Sequence, residues 1–301
     1  MMITKFLDPK NDYAFKKIFG TERNKDILIH FINDMITFKE KKPIVEVTFL
    51  KTTQDPEVNA LKTSLVDILC RDEAGHQYIV EMQVAKETGF EKRAQYYAAK
   101  AYISQARSGD DYHDLKEVIF LAITNFIMYP NKKVFKSDHV ILDNDSHEND
   151  LTGFSFTFLE LPKFNKKIDE LNNVVEKWMY FFKNAEETSE KDLPKIIGHD
   201  DIIERAYEEL NRFSWNEQEL FTYDQQEKYD WSHRGTIDAA YNDGMERGME
   251  DGIKKGIEKG AKSKTYEIAK AMLLKEIDLE VISNLTELSK EDLKQLFEKK
   301  N

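Results

Sequence analysis

The sequence predicts an α/β fold: a mixed sheet flanked by helices, followed by a mainly helical C-terminal region. Three observations carry this reading. Short β-rich runs alternate with stretches of 3-and-4 apolar spacing in the first half of the chain. All six prolines lie at or before Pro194. Five of the twelve glycines recur at every fourth residue, at Gly244, Gly248, Gly252, Gly256 and Gly260. The last two asymmetries separate a compact N-terminal part from a different, helical C-terminal part.

The elements follow in order. Phe15, Ile18 and Phe19, then Ile27, Leu28, Phe31, Ile32 and Met35, keep helical spacing, so a helix is expected from Asp12 to about Met35, with Pro43 beyond its end. Ile44–Leu50 alternates through Val45, Val47 and Phe49, as a half-buried strand does. Leu65–Cys70 and Tyr78–Val84 are short apolar runs around a turn-rich loop, Arg71 to Gly75, and read as a hairpin. Phe90 to Ser108 contains neither Pro nor Gly and is rich in Ala and Tyr, which predicts a helix. Val118–Phe126 is a nearly unbroken apolar run, suited to a strand buried on both faces. Phe154–Leu161 reads as a further strand. From Lys166 helical periodicity prevails, with Trp178, Tyr180, Phe181 and Phe182 as core candidates. The expected division is a core at 1–165, an acidic helical extension at 166–240, and a glycine-repeat helix with a C-terminal helical hairpin at 241–301.

The chain has 301 residues and a net charge of −12, which at first sight disfavours a nucleic-acid partner. Charge acts locally, however. Residues 1–130 hold 18 basic and 19 acidic side chains, whereas residues 181–250 hold 8 and 18. The excess acid is concentrated in the second stretch. No run reaches the ~18 apolar residues of a membrane span. The opening MMITKFLDPK carries charge where a signal peptide needs an apolar stretch, so a cytoplasmic protein with no membrane partner is expected. The single Cys70 excludes an internal disulfide and any multi-thiolate metal site, and its apolar strand suits an inert core thiol. There is no G-x-G-x-x-G, no G-x-S-x-G and no H-x-x-x-H. The stretch from Gly256 to Ser263 lacks the Gly-Lys-Ser/Thr ending of a phosphate-binding loop.

The hairpin carries the chemistry. If it is centred on Ala74, residues whose numbers sum to 148 face each other, and Asp67 then opposes Glu81. Directly opposed Cβ atoms lie about 4.5–5.5 Å apart, so two carboxylates there need a proton or a cation between them. Oxygen donors of this kind suit Mg²⁺ or another divalent cation. Gln83 shares the face of Glu81 and could orient a water or a phosphate oxygen. The alternative is an exposed strand face with ordinary polar residues.

These residues have a familiar pattern. Asp67, a turn and then Glu81-Met82-Gln83 resembles the PD-(D/E)XK nuclease core, in a variant with Gln in place of Lys. The run Asn11-Asp12-Tyr13-Ala14-Phe15-Lys16-Lys17-Ile18-Phe19-Gly20 resembles the opening of the recombination-promoting nuclease (Rpn) and transposase family. Val80-Glu81-Met82-Gln83, Arg93-Ala94-Gln95-Tyr96-Tyr97, Gly109-Asp110-Asp111-Tyr112, Val118-Ile119-Phe120 and the glycine repeat are similar to that family too. The resemblance covers about residues 5–130 well and the tail loosely. It implies a PD-(D/E)XK-like mixed sheet and a Mg²⁺-dependent DNA endonuclease linked to recombination or mobile elements, or a DNA-binding or protein-interaction module on the same fold. Asp67, Glu81 and Gln83 would be the catalytic residues, with Asp67 and Glu81 holding the metal. Asp12 is either a third metal ligand or a surface acid paired with Lys16 at i+4. Arg93, Tyr97 and Lys100 share one helix face; with Lys16 they would meet DNA, or else they form a solvated face. Tyr96 is expected to cover the core.

Five glycines within one helix cost about 1 kcal/mol each relative to Ala. The tract is therefore either a linker or, as favoured here, a helix that packs closely on another copy or another protein. Ile277–Leu285 and Glu291–Leu296 read as two short helices, with Ser289 as N-cap and Asp292 completing a box-like arrangement. A plain helical hairpin is preferred over a helix-turn-helix, because the segment has no marked basic excess.

Overall fold

The computed structural model describes residues 4–36, 42–54, 64–106, 109 and 111–298. They form two compact units, Met1–Asp230 and Trp231–Asn301. The expected first helix is two helices, α1 (Asp12–Phe19) and α2 (Lys25–Met35), separated by a 3-10 turn at Glu22–Asn24. Gly20 makes the break: a Cβ there would lie 2.7 Å from the Lys16 carbonyl oxygen. Periodicity alone missed it, because both helices present their apolar residues to one core. Asn11 caps α1, its side-chain oxygen accepting from the N–H groups of Tyr13 (3.0 Å) and Ala14 (3.3 Å). Its amide also donates to the Tyr223 carbonyl at 3.2 Å. Asn11→Ala should therefore cost about 1–2 kcal/mol, read as a lower urea midpoint at unchanged m-value.

The strands follow: β1 (Val47–Phe49), β2 (Thr53–Gln54), β3 (Ser64–Leu65), β4 (Ile68–Asp72) and β5 (Gln77–Gln83). Then come helix α3 (Phe90–Ile103) and strands β6 (Val118–Thr124), β7 (Lys136–Val140) and β8 (Phe154–Glu160). Six of the eight form one mixed sheet in the order β1-β4-β5-β6-β8-β7; β2 and β3 pair separately. β6 lies between two parallel neighbours and is buried along its whole length, as its apolar run implied. β7 was not legible in the sequence. It is a polar strand, Lys-Ser-Asp-His-Val, held at the sheet edge by its antiparallel ladder with β8.

Strand alternation sends side chains to two cores. Tyr78, Val80, Met82, Ile119, Leu121 and Ile123 face one, filled by α1, α2 and helices further along the chain: α4 (Val174–Asn184), α5 (Leu193–Ile197) and α6 (Asp201–Glu209). Ile79, Val118, Phe120 and Ala122 face the other, covered by α3 through Phe90, Ala94, Ala98 and Ala101. Trp178, Phe181 and Phe182 are fully buried, while Tyr180 is only partly so. Helices from the acidic stretch thus share a core with α1 and α2.

Helix α7 (Glu217–Leu274) carries the glycine repeat. In the second unit its last turns pack with α8 (Leu279–Thr286) and α9 (Lys290–Glu298) around Ala269, Ile282 and Leu293. Ser289 caps α9, its hydroxyl accepting from the Asp292 N–H at 3.1 Å. No helix among the described residues is long and apolar enough to cross a membrane.

Candidate active site

The hairpin turn sets the site's geometry. Asp72 accepts from the N–H groups of Ala74 and His76, both at 2.9 Å, and Gly75 takes the positive φ of 95° that closes the turn. The resulting register pairs Ile68 with Val80, Leu69 with Ile79, Cys70 with Tyr78 and Arg71 with Gln77. Each pair sums to 148, as expected. Asp67 itself lies in a bend one residue before β4, rather than within the strand. Its Oδ2 accepts from the Met82 N–H at 2.9 Å, which still joins it to β5 beside Glu81.

Glu81 is 5% exposed, and its Oε1 has no hydrogen-bond partner. Burial pushes its pKa well above the ordinary carboxylate value, and the Asp67 charge adds to this, while Arg93 opposes it. Asp67 is also raised, mainly by burial; Lys16 and the Met82 N–H act in the other direction. Such a pair holds a proton readily, and a bound cation would take that proton's place.

Lys16 reaches the same place from α1. Its ammonium lies 2.7 Å from Asp12 Oδ1 and 3.4 Å from Asp67 Oδ1. Asp12 is thus the i+4 partner of Lys16, and the same ammonium also reaches Asp67. Among the described residues, no group of three or more His, Cys, Asp or Glu side chains is arranged to hold a metal ion. The residues fit a hard divalent cation as a two-carboxylate site, with one oxygen lacking a partner and another already facing an ammonium.

Gln83 is not free to turn. Its amide donates to the Ala85 carbonyl at 2.8 Å, and its oxygen accepts from the Arg93 guanidinium. Arg93 also pairs with Glu87 and stacks over Phe90, 4.8 Å from the ring centre. Tyr97 lies next to Arg93, partly buried, with its hydroxyl pKa raised chiefly by burial. Lys100 is one helical turn beyond, its ammonium 5.7 Å from the Tyr96 ring centre. Tyr96 is exposed, contrary to expectation: the helix phase turns Ala94 and Ala98 to the sheet and leaves Tyr96 outside.

Arg93, Tyr97, Gln83, Glu81 and Asp67 are thus brought together at one end of the sheet. Sequence reasoning missed two connections: Glu87, which ties Arg93 and Gln83 together, and the contact of Lys16 with Asp67. The spacing Asp12-x-x-x-Lys16 signalled one of the lysine's two partners; nothing signalled Glu87.

Residues 9–240 match the model of the PD-(D/E)XK nuclease family transposases. Residues 262–298 match that of the Rpn/YhgA-like nuclease family C-terminal helix-turn-helix domain. The second match corrects the preference for a plain hairpin. Absence of basic excess was a poor guide, because helix order and spacing, not net charge, define a helix-turn-helix. No curated protein and no solved structure matches the chain. With more than two thirds of its length inside the first match, the chain belongs to the PD-(D/E)XK nuclease family transposases, and it carries the C-terminal helix-turn-helix of the Rpn/YhgA-like nucleases.

Proposed function

We propose that this chain is a divalent-metal-dependent DNA endonuclease that hydrolyses phosphodiester bonds, with Mg²⁺ as the first candidate metal and a role in recombination or mobile elements. The observation that carries this is the buried, unpartnered Glu81 oxygen beside Asp67. Asp67 and Glu81 would hold the metal, with Asp12 as a further ligand once Lys16 moves aside. A bound divalent metal supplies an acidified water and charge stabilisation at the scissile phosphate. The rest belongs to the protein. Arg93 holds the Gln83 carboxamide in one orientation, and Lys16 balances the acid cluster when no metal is present. The test is plasmid nicking with and without Mg²⁺, comparing wild type with Asp67→Ala and Glu81→Ala. Mutants that still cut would remove the assignment.

A second reading, a catalytically weak or inactive DNA-binding or protein-interaction module, is favoured by Lys16 on Asp67 and by Gln83 replacing the usual Lys. It expects DNA binding without cleavage and no thermal response to divalent metal.

On this reading DNA meets Lys16 of α1 and Arg93, Tyr97 and Lys100 of α3, the helices that cover the two sides of the sheet next to the hairpin. Lys100→Glu should weaken DNA binding and reduce the slope of log K against log [salt] by about 1 to 2. An unchanged slope in a salt titration would move the DNA elsewhere. Lys16→Met should tighten divalent-metal binding several-fold, since it removes the competing cation from Asp67, and calorimetry of the metal titration would read this directly.

A further inference from the structure

Helix α7 leaves a long apolar face unpartnered in the second unit. Tyr241, Met245, Met249, Ile253 and Ile257 recur at every fourth residue and are 54–69% exposed. Gly244, Gly248, Gly252, Gly256 and Gly260 each precede a member of that series or extend it, and an added Cβ at any of the five would meet nothing within 4 Å. Their small size serves no packing within the described chain, although each glycine weakens the helix. An apolar ridge lies beside a groove of glycines, both running along the i±4 direction.

The charge pattern indicates what fits there. Asp238–Asp251 contains five acids and one base, whereas Gly252–Lys264 contains five bases and one acid. The sign inverts between Asp251 and Lys254, in the middle of the glycine tract. Among the described residues, no ion pair within the chain engages the charges from Asp243 to Lys262. A second copy laid antiparallel would set each acidic half along a basic half. A parallel copy would oppose acid to acid and base to base.

We propose that α7 forms a two-fold antiparallel pair with a second copy of this chain, its axis passing between Gly252 and Ile253. Residues near the seam then face each other when their numbers sum to 505. Met249 meets the partner's Gly256, and Met245 meets the partner's Gly260, so each large side chain fills a gap left by a glycine. The interface is isologous, as a closed dimer requires. A 4-residue repeat exceeds 3.6, so the ridge drifts about 40° per step around the helix. The two helices therefore cross in the right-handed sense, at about −40° to −50°, with backbones brought close by the glycines.

Sedimentation of the full chain over a concentration series tests this. Wild type should dimerise, and salt should weaken the dimer. Lys254→Glu/Lys255→Glu/Lys259→Glu, and separately Glu246→Lys/Glu250→Lys/Asp251→Lys, should each weaken self-association roughly tenfold or more. Mixing the two variants should restore a heterodimer. Failure of the mixture to associate would mean that the charges act within one helix, and would overturn the proposal. Orientation is read by cross-linking. Met245→Cys mixed with Gly260→Cys should give a disulfide-linked dimer, while Met245→Cys alone should not. Self-linkage of Met245→Cys would indicate a parallel pair. A wild-type chain that stays monomeric at every concentration would overturn the interface altogether. None of these outcomes depends on Glu81 or on cleavage.

Discussion

Glu81→Gln should abolish plasmid nicking, by ~10³-fold or more, and at the same time raise the melting temperature of the metal-free protein. The two effects have one cause. A carboxylate buried beside another acid is held in the fold against its preference, and its raised pKa measures that preference. The sign follows from linkage. A carboxyl whose folded pKa lies above its unfolded value binds more protons folded than unfolded between the two. Stability then falls as pH rises from the ordinary carboxylate value to the raised one, and stays flat above it. Gln carries no such penalty, so the variant should be more stable at neutral pH and its stability less dependent on pH. Metal reverses the order. A divalent cation bound at Asp67 and Glu81 stabilises wild type by about 2.7 kcal/mol at a hundredfold excess over Kd, and the variant by much less. Thermal melts at several pH values, with chelator and with Mg²⁺, show both effects. A variant that melts like wild type in chelator and responds equally to Mg²⁺ would place the metal elsewhere. Wild type that binds DNA but neither cuts nor responds to any divalent metal would favour the inactive module.

Trp178→Ala should destabilise the first unit by about 3–5 kcal/mol, the cost of emptying a large core site. Trp178 is fully buried and meets Phe31 edge-on at 5.2 Å between ring centres; Phe19 lies 5.9 Å away and Phe181 5.6 Å. Its indole N–H also donates to Asp34 at 2.8 Å. Burial already raises the Asp34 pKa, and this hydrogen bond acts against the rise. Truncation therefore adds an under-satisfied carboxylate to the cavity. Trp178→Phe separates the two contributions: it keeps most of the ring packing and loses the hydrogen bond, at about 1–2 kcal/mol. Urea unfolding of both variants, with midpoint and m-value fitted separately, measures the difference. Equal losses would mean that the hydrogen bond, not the packing, dominates.

Most of the sheet was legible, and the reason is local. Alternation in Tyr78–Val84, the apolar run at Val118 and the turn at Gly75 each reflect a constraint on a few neighbouring residues. That was enough to obtain the hairpin register. Asp67, however, lies in a bend just before β4 and reaches β5 through the Met82 N–H rather than by pairing with Glu81. β7 escaped because its order comes from the ladder with β8 and not from its own polar side chains. The break at Gly20 escaped because α1 and α2 contribute to one core with the same periodicity. The helix-turn-helix was visible as two helices, but the lack of basic excess hid the motif, which helix order and spacing carry.

The sequence by itself determined which residue types meet on the hairpin and where the charge of the tail changes sign. Both are properties of spacing, and spacing needs no coordinates. Only the tertiary structure decided what surrounds them. It buried Glu81 with an oxygen unpartnered, brought Lys16 from α1 onto Asp67, and used Arg93 and Glu87 to hold Gln83. It also left the glycine face of α7 open. These are contacts between residues distant in sequence, or contacts that are missing, and they depend on which elements the core brings together. Burial and field at a carboxylate are sums over those neighbours, so they take their values only after the chain has folded.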